Sequence, residues 1–67
     1  MLIGKVGRVI GRVGPGLVDE VMLSVRGGTE AFYAYPYQED EVFPIGSQVV
    51  VMEHQEPRTV YVARAYA

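Results

Sequence analysis

With 67 residues, no cysteine and a single histidine, the chain is one small domain that neither disulfides nor a cysteine-rich zinc clip can staple. Its apolar fraction of 49% excludes a disordered tail, yet no apolar run approaches the ~18 residues of a spanning helix. The net charge of −2 gives weak attraction to nucleic acid or an anionic membrane, and it is unevenly spread: Lys5, Arg8, Arg12 and Arg26 oppose Asp19 and Glu20 early in the chain, whereas the later acids face only Arg58 and Arg64, so folding lets the two halves neutralise each other.

Met1 leads directly into a glycine-punctuated strand pattern with no apolar run behind it, so no signal peptide is visible, and so abrupt a start suggests either a very small protein or, the favoured reading, a domain excised from a longer chain. Residues 2–13 read as a first strand. Its glycines, in "GKVGRVIGRVGPG", admit three functional readings. A phosphate loop needs a helix after the glycines, and here a strand follows. A membrane contact motif at Gly7 and Gly11 needs an apolar surround, and Arg8 and Arg12 interrupt it. Gly4, Gly7, Gly11 and Gly14 do not keep one parity, so they read as bends and bulges of a strongly coiled strand, with Gly14-Pro15-Gly16 as the turn that ends it.

"LVDEVMLSV" (17–25) alternates as a second strand, and Gly27-Gly28 reads as a two-residue turn into "TEAFYAYPY" (29–37), an aromatic-rich third strand disrupted at Pro36. "YQEDEVF" (37–43) lacks a helical apolar period and reads as a loop. "SQVVVMEH" (47–54) is a fourth strand, "HQEPRT" a turn, and "TVYVARA" (59–65) the fifth. Five short strands with turns between them define an all-β domain, a small barrel or sandwich. Its expected interior is Val6, Val9, Val21, Leu23, Val49, Val51, Val60 and Val62.

Taken together, "GKVGRV", the "GPG" turn before "VMLSVRGG", "FPIGSQVVVME" and "TVYVARA" resemble the C-terminal soluble domain of NfeD-like proteins over essentially the whole chain. The resemblance implies a five-stranded OB-fold barrel over residues 1–67, with little or no helix and none between strands three and four. It implies a bacterial membrane protein whose transmembrane spans lie in a separate segment, with this domain on the cytoplasmic side. The implied partners are flotillin- or stomatin-like proteins that organise membrane microdomains, or a second copy of the domain. Some longer relatives carry a serine-protease domain, of which nothing is visible in these residues.

The side chains point to binding and not to chemistry. Ser24, Ser47 and His54 lack the sharp exposed turn and the orienting acid of a nucleophilic triad, so no catalytic residue is expected. Glu39, Asp40 and Glu41 are consecutive and point in different directions, so they read as a solvated loop; no metal and no cofactor is expected. Tyr33, Tyr35 and Tyr37 alternate. If Phe32 and Ala34 face inward, the tyrosines form an external stripe; if the tyrosines face inward, they are core with their hydroxyls at the barrel rim. On the first orientation they are, with Phe43, the expected partner-binding residues. An open sheet edge that recruits an extended peptide is a further mechanism. The alternative, a single-stranded nucleic-acid site on the same tyrosines, would need Arg8, Arg12 and Arg26 beside them, because the nearest charges in sequence are acids.

Overall fold

The computed structural model describes residues 1–66. Alternation of inward and outward side chains carries the chain into β1 (Val6–Val13), β2 (Val18–Val25), β3 (Gly28–Pro36), β4 (Gln48–Gln55) and β5 (Thr59–Arg64), and no helix occurs among the described residues. The strands close in the order β1-β2-β3-β5-β4 and back to β1. All neighbours are antiparallel except β3 and β5, which run parallel. This is an OB-fold-like barrel, as expected. For so short a chain, closure removes most of the unpaired sheet edge that would otherwise need cover.

Val21 lies opposite Phe32 and both are buried, so this inward pair fixes the β2–β3 register. It places Val25 opposite Gly28 and leaves Arg26 and Gly27 as the two-residue loop, at φ of 47° and 79°. The turn therefore sits one residue before the expected Gly27-Gly28. Positive φ at both positions is what such a loop demands, and Gly28 is drawn into the ladder.

Strand β1 shows two different uses of glycine. Its register with β2 shifts between Val9 and Gly11, a bulge of the kind expected there. Gly7 instead packs: a Cβ on it would lie 2.6 Å from the Met22 carbonyl oxygen and as close to the Leu23 side chain. Gly7 and Val9 share the inward parity, which turns Val6 outward, 47% exposed. This corrects the placement of Val6 in the interior: no bulge separates it from Gly7, and the inward space opposite Leu23 admits only a glycine.

The other expected interior residues are buried, joined by Phe32, Ala34 and Phe43. Leu2 and Val25 pack against this core. Phe43 belongs to the loop between β3 and β4, yet it is 1% exposed and plugs one mouth of the barrel. Beyond the β1 bulge the parity inverts, so Arg12 faces Asp19 at that mouth. The Arg12 Nε pairs with the Asp19 carboxylate at 3.1 Å, and its Nη2 donates to the Phe43 carbonyl at 2.9 Å, pinning the plug.

The sheet edge expected to be open is largely closed. Where β3 extends past the start of β5, Arg58 covers the flank: its carbonyl accepts the Tyr33 N–H, its guanidinium donates to the Ala31 carbonyl at 3.0 Å, and it pairs with Glu30 at 3.3 Å. On the far side, Val6, Val50 and Ala63 lie in register on the outer surface across β1, β4 and β5.

Candidate functional site

In β3 the inward positions are taken by Phe32 and Ala34, so Tyr33 and Tyr35 must point outward. Tyr37 follows them past the strand end, its N–H donating to the Val62 carbonyl and prolonging the parallel ladder. The three rings are between 43% and 48% exposed and form the external stripe. Phe43 does not join them. At 1% exposed it has almost no surface to offer a partner, and its place in the partner-binding set is corrected to the core.

The parallel pairing adds a residue that sequence reading missed. Tyr61 lies opposite Tyr35, their rings stack at 5.8 Å with 30° between planes, and the Tyr61 hydroxyl bonds the Gln55 side chain at 3.2 Å. Its outward parity followed from Val60 and Val62 being core. Its neighbour did not, because nothing local announces a parallel partner. The stack holds the Tyr35 ring in place and lowers the entropy lost when a partner covers it.

On the β2 side the stripe continues as apolar surface. Val13 and Val18, with Tyr33 and Tyr35, border a shallow depression of about 260 Å³. Around the barrel mouth a second groove of about 250 Å³ shares Val18 and Tyr35 and is walled by Leu17, Pro36 and Val42. Leu17 holds φ of 52°, a left-handed conformation unusual for a branched side chain.

Charge around this surface is mostly negative. Glu20 lies opposite Tyr33, Glu41 lines the mouth groove, and Glu39 and Asp40 precede it in the loop. Arg8, Arg12 and Arg26 do not assemble as free cations alongside, although Arg12 lines the mouth groove with Tyr35, and Arg58, flanking Tyr33, is paired with Glu30. Arg12 is committed to Asp19 and the Phe43 carbonyl, Arg8 donates to the Gly46 carbonyl at 3.3 Å, and Arg26 sits on the hairpin at the opposite end of β2 from Val18.

The serines and the histidine are not brought together. Ser24 pairs with Thr29, the Ser47 hydroxyl donates to the Pro44 carbonyl at 2.6 Å, and His54 packs edge-on against Phe32 at the other end of β4. Among the described residues no three His, Asp or Glu side chains converge as a metal-binding group, and no helix is long and apolar enough to cross a membrane.

A closed five-stranded barrel of OB type, presenting an aromatic and acid-rimmed outer face, is the class of protein these features define. Within that class the chain belongs to the NfeD C-terminal domain family, which it matches over residues 6–63. Neither the curated proteins nor the solved structures hold a match to it.

Proposed function

We propose that this barrel is a non-enzymatic protein-interaction domain of an NfeD-like membrane protein. The observation that carries the reading is the pre-stacked Tyr35–Tyr61 pair at the centre of an exposed apolar surface with a charged rim. Tyrosine suits such a surface because it offers large contact area at low entropic cost, with a hydroxyl for orientation. The family resemblance points to a flotillin- or stomatin-like partner, with the domain supporting membrane-microdomain assembly from a membrane-anchored chain.

The competing reading is single-stranded nucleic-acid binding on the same tyrosines, since OB barrels stack bases on aromatic faces. The acids beside the stripe and the commitment of Arg12 to Asp19 weigh against it, because a phosphate backbone needs cations along its path.

One titration series tests both. The domain is titrated into a labelled flotillin-like protein and, separately, into labelled single-stranded oligonucleotides at low salt. Saturable binding to the protein that falls at least tenfold in Tyr35→Ala, a loss of the size expected for an aromatic anchor, is the expected result. Tyr35-dependent binding to the oligonucleotides that weakens with salt would replace this proposal with its competitor.

A further inference from the structure

The groove at the barrel mouth carries more information than an apolar depression. One wall is Leu17, 64% exposed and held at positive φ, where a branched residue carries backbone strain that glycine would avoid. Val42, also exposed, lines the same groove, together with Tyr35 and Pro36. Leu17, Tyr35 and Val42 thus present exposed apolar surface to one groove.

The polar end of the groove is out of balance. The Oε1 atom of Glu41 is shut away from solvent and has no hydrogen-bond partner. Arg12, which lines the same groove, is already spent on Asp19 and the Phe43 carbonyl. Glu41 as a whole is only half-buried and lines the groove, so a cationic donor arriving there can pair with the carboxylate through its other oxygen. Glu39 and Asp40, just before Glu41, add further negative charge, so an anionic group is repelled and a cationic one drawn in.

We infer that the mouth groove seats a basic, apolar-anchored peptide segment of the partner protein. A leucine-like side chain packs among Leu17, Tyr35 and Val42, and a neighbouring lysine or arginine donates to Glu41. This rests on the protein-interaction reading and narrows it to a charge class. It also gives the strained Leu17 a role that the fold alone does not require, since the turn would form more easily around glycine.

The test uses the whole chain, isotope-labelled for amide NMR, and three short synthetic peptides. They share one leucine pattern and carry lysine, glutamine or glutamate at the intervening positions. The lysine peptide is expected to shift the amides of Leu17, Tyr35, Glu41 and Val42, and to bind about tenfold more tightly than the glutamate peptide. Its affinity is expected to fall with added salt. Glu41→Gln keeps the shape of the side chain and is expected to weaken the lysine peptide about tenfold, the loss of one charge-assisted hydrogen bond. The glutamine peptide is expected to be left nearly unchanged. Equal affinity for the lysine and glutamate peptides, indifference to Glu41→Gln, or no amide shifts from any peptide overturns the inference. In each case, Tyr35-dependent binding of the flotillin-like protein would still stand on its own, so the two readings fail separately.

Discussion

Phe43 offers the sharpest test of where the core ends and the interaction surface begins. It lies in a loop, was legible as a partner contact, and is instead enclosed by the barrel mouth. Truncation to alanine removes a fully buried ring, for which about 3–5 kcal/mol is typical. The surrounding loop has no ladder of its own and can collapse partly into the space, so the lower end, about 3 kcal/mol, is expected. A domain of this length holds roughly 3–10 kcal/mol in total, so the substitution removes a third or more of it. The assay is urea and thermal unfolding followed by circular dichroism. Phe43→Ala is expected to lower Tm by about 12–24 °C, while Phe43→Leu, which refills most of the space, loses about 1 kcal/mol. If Phe43 were a surface contact, truncation would leave stability within about 0.5 kcal/mol of the parent. That result would refute the plug.

Two further outcomes follow from backbone geometry. Gly7→Ala forces a methyl against the Met22 carbonyl and the Leu23 side chain and is expected to cost about 1–3 kcal/mol, whereas Gly11→Ala meets open space and is expected to be neutral or stabilising by up to about 1 kcal/mol; chemical denaturation of the pair checks both. Leu17→Gly relieves positive φ at the cost of a looser unfolded chain. It is expected to leave stability unchanged or raise it by up to about 1 kcal/mol while weakening the lysine peptide, and a drop of more than 1 kcal/mol would show that Leu17 is structural after all.

The strand pattern was readable because alternation is a local signal. Phe32 and Ala34 facing inward forced Tyr33 and Tyr35 outward, and the tyrosine stripe followed from neighbours in sequence. What escaped was set by distant atoms. Val6 was misplaced because the Met22 carbonyl, far along the chain, decides that the inward position must be Gly7. Phe43 escaped because a single side chain in a loop has no period to reveal it. Tyr61 and Glu41 escaped because a parallel pairing and an unanswered carboxylate exist only once β3, β5 and the intervening loop are in place. Leu17 did have a signal, a large apolar residue directly after Gly14-Pro15-Gly16, but its φ is not written in its identity.

The row formed by Val6, Val50 and Ala63 has an architectural consequence. Both outer members flank the same residue of β4, so the first and last strands are separated by two inter-strand steps, roughly 10 Å. Chain arriving at β1 and chain leaving β5 therefore lie on neighbouring ground, with only β4 between them. A barrel with such adjoining ends behaves as a cassette: it can be spliced into a host loop whose base is only that wide, without pulling either strand from its ladder. The same proximity lets a brief linker join the ends while new ones are cut at the Arg26-Gly27 hairpin, at the opposite end of β2 from Leu17 and its groove.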